Sequence, residues 1–220
     1  KIMEAVRKGK VAKGAEPKWE EYKEEMRQHG VPEWYIDSCK KIKYMFPKAH
    51  AVAYVTMAFR IAWFKVHIPL AYYAAYFSIR ADEFDSEFMI HGKEKVKAKM
   101  KEIEQQGNNA TQKDKGMYTI LEIVLEFYER GFDFLPIDLY KSHSNKFQIE
   151  DGKIRPPLSS IAGLGGIAAE NIYQAAKDGQ FMCIDDLQLR AKIGKSTTEM
   201  LSKFGCLDGM SQSNQISLFG

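Results

Sequence analysis

The chain reads as a succession of helical stretches that differ in polarity. Residues 1–45 are charged and helical in texture. Within them, PKWEEYKEEMRQHGVP opens with Pro17, suited to a first helical turn, and stops at Gly30 ahead of Pro32. PEWYIDSCKKIKYMF predicts a second helix. The longest apolar block, Val52–Phe64, lies in FPKAHAVAYVTMAFRIAWFKVHIP. Pro47 takes an N1-like position there, and the pattern predicts a core helix to about His67, closed before Pro69. LAYYAAYFSIRADEFD continues as a buried helix and EFMIHGKEKVKAKMKEIEQQ as a strongly basic one. GNNATQKDKG is expected to be a loop, and MYTILEIVLEFYERGF an amphipathic helix capped by Gly131.

After Gly131 the texture changes. FLPIDLYKSHSNKFQIEDGKIRPPL has short β-like runs, and Asp151-Gly152 suits the turn of a hairpin. Short helices around two glycine-bearing turns follow, and then a polar tail, DGMSQSNQISLFG, with a disordered texture. The expected fold class is mainly α: a helical domain, then a small α+β region with helix-hairpin-helix elements and a flexible C-terminal tail. The boundary is expected near residue 131.

The first glycine turn, in LSSIAGLGGIAAENIYQAA, has the helix-hairpin-helix pattern. Leu158 and Ile161 precede Gly163-Leu164-Gly165-Gly166, and Ala168, Ala169 and Ile172 follow. Glycines permit a tight turn with an unshielded backbone. The hairpin N–H groups and the next helix N-terminus then form a small site for one backbone phosphate. Such a module grips DNA without reading bases. A sharp connector with no ligand would show the same spacing. LQLRAKIGKSTTEMLSKFGCL offers a second, degenerate copy. It places Ile193-Gly194-Lys195 in the turn, with Ser196 as the expected N-cap and Lys192 and Lys195 suited to phosphates.

The apolar helix begins with Lys48 and His50. At 100° per residue His50, Tyr54, Met57 and Ile61 share a face. A lysine, a histidine, free N–H groups and the positive end of the helix dipole suit a polyphosphate, with Tyr54 placed for a sugar or base. The competing use is a buried helix whose first turn reaches solvent, with both side chains snorkelling.

Composition adds limits. The 220 residues carry a net charge of +3, a mild hint of an anionic partner, with 45% hydrophobic and 28% charged residues as in folded soluble proteins. Cys39, Cys183 and Cys206 form no C-x-x-C pair, so neither a zinc knuckle nor a disulfide framework is expected, and a reduced, cytoplasmic setting is the default. Nothing resembles a signal peptide, and Val52–Phe64 is short for a membrane span. The opening KIMEAVRKG has a mid-helix texture and no initiator methionine, which suggests a fragment.

The combination FPKAHAVAYVTMAFRIAWFKVHIPLAYYAAYFS resembles the fingers segment of bacterial replicative DNA polymerases, the alpha chain of DNA polymerase III. Phe46, Lys48, His50, Tyr54, Lys65, His67 and Pro69 carry the likeness. RGFDFLPIDLYKSHSNKF, IRPPLSSIAGLG, DDLQLRAKIGKS and NQISLF resemble the PolC class, typical of low-GC Gram-positive bacteria. The resemblance implies a fingers domain over residues 1–130 and a duplex-DNA-binding region over 131–207. It implies a tail over 208–220 whose QISLF looks like a peptide that docks on the sliding clamp through Gln215, Leu218 and Phe219. It further implies that Lys48, His50 and Tyr54 bind the incoming dNTP. The hairpin residues Gly163, Leu164, Gly165 and Gly166, with Lys192 and Lys195, are then expected to bind DNA. The palm carboxylates that hold two Mg2+ ions would lie upstream, leaving this segment inactive alone and without metal ligands. No Asp-x-Asp pair occurs, and Asp185-Asp186 reads as helix N-terminal charge. Primer-template DNA, the sliding clamp and other replisome subunits are the implied partners, with no membrane. A non-catalytic helix-hairpin-helix DNA-binding module is the alternative, and a helical interaction protein the third reading.

Arg60 fits either a nucleic-acid contact or an acid pair. His67 reads as structural, while His29, His91 and His143 have no ligand-like partners in sequence. The Lys93–Lys101 run reads as a solvated face or a track for phosphates. Ala71–Phe77 reads as core.

Overall fold

Apolar spacing at three and four residues sets most of the structure, and glycines and capping residues cut it into helices. The computed structural model describes residues 1–46 and 48–214. Among them are eleven α-helices and one two-stranded sheet, so the fold is mainly α with a small β region. Contacts divide the chain into two units, Lys1–Ala62 and Trp63–Gly220.

In the first unit, α1 (Ile2–Arg7), α2 (Trp19–Gln28) and α3 (Glu33–Cys39) surround a small core of Ala5, Val6, Val11 and Cys39. Helix α3 stops at Cys39 rather than running toward Phe46, and Met45 N instead donates to Arg7 O at 3.0 Å. Helix α4 (Lys48–His67) crosses the unit boundary. It is helical as expected, but it is not a core helix, since none of its residues is buried. Apolar residues on most sides are the pattern of a buried helix, so the exposure of α4 departs from its sequence signal.

The last turn of α4 lies in the second unit and is fastened there. Lys65 Nζ donates to Glu126 Oε2 at 2.7 Å, and Arg130 Nη2 donates to Lys65 O at 3.2 Å. Tyr73 OH donates to Glu126 Oε1 at 3.1 Å and accepts from Arg130 Nη1 at 3.1 Å.

The rest of the second unit is built on two apolar cores. The first is formed by α5 (Pro69–Ile79), α6 (Ser86–Met89), α7 (Lys93–Gln106) and α8 (Gln112–Glu129), with Tyr73, Phe77, Ile120, Leu121, Val124 and Phe127 at its centre. Helix α5 starts at Pro69 and ends ten residues on, at Ile79, before a 3-10 turn over Ala81–Glu83. The expected basic helix splits, because Gly92 at φ +93° ends the preceding turn and starts α7. The expected loop before α8 is shortened. Thr111 and Asp114 form a capping box that starts the helix at Gln112.

Strands β1 (Gln148–Glu150) and β2 (Lys153–Arg155) pair antiparallel around the expected Asp151-Gly152 turn, both residues at positive φ. Most of the preceding β-like stretch is irregular, carried by turns such as Tyr140 N and Lys141 N donating to Asp138 Oδ1.

The second core joins Ile137, Leu139, Leu158, Ile161, Leu164, Ile172, Leu187 and Leu201, from the chain before and within α9 (Gly166–Lys177), α10 (Ile184–Ala191) and α11 (Lys195–Lys203). A fully buried hydroxyl pair links the two cores. Ser86 Oγ donates to Ser160 Oγ at 2.7 Å, and Ser160 Oγ donates to Pro157 O at 2.6 Å. Two donors and one carbonyl satisfy one another there without solvent. Residues 208–214, expected as leash, return to the start of α10: Ile184 N donates to Ser211 O at 2.9 Å and Asp185 N to Gln212 O at 3.1 Å. No helix among the described residues is long and apolar enough to cross a membrane.

Candidate nucleic-acid interface

The first unit holds the lysine and histidine at the head of α4. Lys48 is its first residue and is exposed, and no acid occupies the first turn. An aromatic ladder leads into the helix: Tyr44 to Phe46 at 4.6 Å, Phe46 stacked on His50 at 5.2 Å, and His50 on Tyr54 at 4.1 Å. The shared face of His50 and Tyr54 is therefore present, and Tyr54 is 66% exposed. Lys48 and Arg60 form no ion pair among the described residues. A cation and a stacked imidazole at a helix start, without an acid to neutralise them, leave positive potential for an anion.

The second unit holds both glycine turns. In hairpin one, Gly163 sits at φ +86° and Gly165, at φ −64° and ψ 146°, is the N-cap of α9. Leu164 between them is buried, and its N–H donates to Ile161 O at 3.0 Å. Only a 3-10 turn, Leu158–Ser160, stands where a first helix was expected. Pro157 is the N-cap of that turn, and the stretch from it to the positive-φ Gly163 leaves room for little more than one turn.

Hairpin two repeats the positive-φ residue and the extended glycine N-cap with another sequence. Lys192 is left-handed at φ 52° and ψ 46°, Ile193 is half-buried, and Gly194 is the N-cap of α11 at φ −87° and ψ 172°. The turn is thus Lys192-Ile193-Gly194. Lys195 is already helical, and Ser196 is not the N-cap. The first glycine of the pattern is replaced by Lys192, and Gly194 keeps the place of the second. Lys192 and Lys195 are both exposed and pair with no carboxylate among the described residues.

Arg190 spans the connector between the hairpins. Its guanidinium donates to Ala175 O at 2.5 Å, to Gly179 O at 3.1 Å and to Gln180 O at 3.1 Å, and lies 4.5 Å from the Phe181 ring. Sequence reading missed this residue: its pairing with Asp186 at 3.5 Å is an ordinary i, i+4 contact, and its carbonyl partners leave no side-chain signature.

The Asp185-Asp186 pair acts at the start of α10, as read. Asp186 Oδ2 accepts from Met182 N at 3.0 Å, and Asp185 Oδ1 accepts from Gln212 Nε2 at 3.0 Å. Among the described residues no group of three or more His, Cys, Asp or Glu side chains could hold a metal ion. Gln215, Leu218 and Phe219 lie outside the described residues.

The lysine run on α7 is mostly neutralised. Lys93 and Lys97 pair with Glu129 at 3.7 and 3.3 Å, and Lys99 with Glu102 at 2.7 Å, as expected of a solvated face. His143 has neighbours the sequence did not reveal. Its ring lies 4.5 Å from Tyr173, and its Nδ1 accepts from Asn145 N at 3.1 Å. Burial, with Lys146 and Lys177 nearby, lowers its pKa from the usual imidazole value.

Residues 131–216 match the helix-hairpin-helix motif family, which includes both turns. Over 219 residues, all of this chain and 15% of the relative, the chain is 53% identical to DNA polymerase III PolC-type of Clostridium perfringens. The PolC-type polymerase of Bacillus subtilis is 52% identical over the same 219 residues, again 15% of its length. The chain spans about a seventh of the length of the curated relatives it matches, and over that span it is similar to PolC-type DNA polymerase III.

Proposed function

We propose that the chain is the nucleotide-binding and duplex-gripping segment of a replicative DNA polymerase. The observation that carries this reading is the likeness to PolC-type polymerases over the whole chain, at about half identity. The site features agree with it in kind. Lys48 and His50 receive the β- and γ-phosphates of an incoming dNTP at the head of α4, and Tyr54 packs on its sugar or base. The two hairpins hold backbone phosphates of the primer-template duplex through N–H groups and lysines, without base preference. Gln215, Leu218 and Phe219 dock on the sliding clamp as a tethered peptide, an interaction weak alone and effective once DNA binding raises its local concentration. The magnesium-binding carboxylates belong to other parts of the polymerase, and this segment alone is inactive. The setting is the cytoplasm, with other replisome subunits as further partners.

The deciding experiment is nucleotide kinetics in a full-length polymerase carrying Lys48→Ala and His50→Ala together. The dNTP KM rises or kcat falls by roughly ten-fold or more, the scale of one lost charge-assisted contact per residue. Unchanged steady-state and single-turnover kinetics refute the phosphate role.

A further inference from the structure

Nine lysines and arginines lie between residues 131 and 214, and sorting them by partner separates two groups. Lys141, Lys153, Arg155, Arg190 and Lys203 each pair with a carboxylate, at 3.4, 2.8, 2.7, 3.5 and 3.1 Å. Lys146, Lys177, Lys192 and Lys195 have no carboxylate partner among the described residues, and all four are exposed. Two of these belong to hairpin two. The other two flank His143, and their charges help to lower its pKa, after burial.

The loop that carries Lys146 is tied to hairpin one. Leu158 N donates to His143 O at 2.9 Å and Ser159 N to Ser144 O at 3.0 Å, so the loop runs beside the 3-10 turn that enters the hairpin. Phe147 N donates to Ser78 Oγ at 2.9 Å and closes its far end. Lys177 Nζ lies 3.9 Å from the Tyr173 ring, whose neighbour is His143. A groove lined by Ser144, Asn145, Gly166, Ile167, Glu170 and Asn171 runs along this side of hairpin one. A second groove includes Asn171, Gln174 and Lys192 and shares Asn171 with the first. The two therefore lead from the loop to hairpin two. Glu170 and Asp178 are the acids within them, and Glu170 accepts from Gln174 Nε2 at 2.6 Å.

The other flank of hairpin one has the opposite character. There the cavity against Gly163–Gly166, about 390 Å³, is lined by Asp82, Glu83 and Asp85, with Lys113 as its one cation among the lining residues. Lys146 and Lys177 give the loop side exposed positive charge, whereas acids predominate on the other side.

We propose that the His143–Lys146 loop and the Tyr173–Lys177 end of α9 form a further DNA-backbone contact, continuous with hairpin two and specific for duplex rather than sequence. Lys146 and Lys177 supply charge, and Asn145 and Asn171 supply neutral hydrogen-bonding groups between the two hairpins. This rests on the duplex-gripping reading of the hairpins and adds the path the strand follows between them.

The test is binding of full-length polymerase to primer-template duplexes of two unrelated sequences, over a range of salt. Lys146→Ala with Lys177→Ala lowers the salt slope by about 0.9 per lost contact and weakens binding by roughly ten-fold, equally for both sequences. Lys153→Ala with Lys203→Ala removes the same charge from paired lysines and leaves the slope unchanged. An unchanged slope in the first double variant overturns the proposal. So does an equal fall in the second, which marks a bulk-charge effect, or a loss confined to single-stranded template. Gly165→Val in hairpin one separates the two readings. If it leaves binding intact while the lysine variant weakens it, the hairpin assignment falls and the loop contact stands. If it weakens binding while the lysine variant does not, the loop contact falls and the hairpin stands.

Discussion

Hairpin one turns on a glycine at φ +86° and hairpin two on a lysine at φ +52°, yet both reach an extended glycine N-cap two residues later. Their supports differ more than their turns. Leu164 in the first is 6% exposed and is preceded by the buried Leu158 and Ile161. Ile193 in the second is half-buried, but a full helix, α10, leads into it, and Gln188 Nε2 donates to Thr198 Oγ1 at 3.1 Å across the turn. The first hairpin is held by apolar burial beneath it, the second by its helices and a side-chain bond. The left-handed residue then becomes a choice. Glycine removes strain, whereas lysine accepts strain and presents a charge where a phosphate is expected.

The strongest way to break this comparison is to remove the middle residue of each turn. Leu164→Ala should cost about 2–4 kcal/mol, because a buried leucine leaves a cavity. Ile193→Ala should cost less, about 1–2 kcal/mol, since part of its surface is already in water. Urea unfolding of the two variants measures the difference. Equal losses would mean that the two turns rest on their cores alike.

Arg190 tests whether the hairpins are fixed to one another. Arg190→Ala leaves three carbonyls of the connector without this donor and should cost about 2 kcal/mol. Lysine at this position keeps the charge but not the fork, so it should recover less than half of the loss. Full rescue by lysine in the same unfolding assay would reduce Arg190 to a surface charge.

Exchanging the left-handed residues gives smaller effects of opposite sign. Gly163→Ala should cost about 1–2 kcal/mol through its positive φ, and its added Cβ would stand 3.2 Å from Met200 Cε. Lys192→Gly should stabilise by up to about 1 kcal/mol, while lowering the salt slope of duplex binding by about 0.9. A variant that is firmer but grips less would show that strain at Lys192 is retained for charge. Thermal melting and salt titration of the same preparation decide it.

How much of this was legible depended on the range of the interactions. Helix α8 was readable from its apolar spacing, and its true start was also local, in the Thr111–Asp114 box. Hairpin one was readable because glycine is the usual left-handed residue. Hairpin two was read one residue out of register, since a search for glycine passes over a lysine that also adopts positive φ. The exposure of α4 was not legible, because a run that is apolar on all sides signals burial without saying by what. Nor was the loop around His143, whose geometry depends on Ser78 and the segment after Pro157, far away in sequence.

His143 gives the finest distinction, for hairpin two has no histidine. Burial first, then Lys146 and Lys177, lowers its pKa in the free fold, with Glu170 opposing them. A histidine with a lowered folded pKa binds fewer protons folded than unfolded. Its contribution to stability is then fully present above the usual value near 6.5 and is lost as pH falls toward the folded pKa. DNA binding should have the opposite sign. A phosphate beside Lys146 and Lys177 offsets their charge and raises the pKa of His143, so the complex takes up a fraction of a proton and binding tightens slightly as pH falls below neutrality. His143→Gln should flatten this dependence, with little change in affinity above neutral pH. Neither Lys192→Gly nor Lys195→Ala should flatten it, because neither lysine is among the groups that shift this imidazole. Duplex affinity measured from slightly acidic to slightly alkaline pH, at constant salt, separates the two hairpins. A pH dependence that survives His143→Gln would place the titrating group elsewhere.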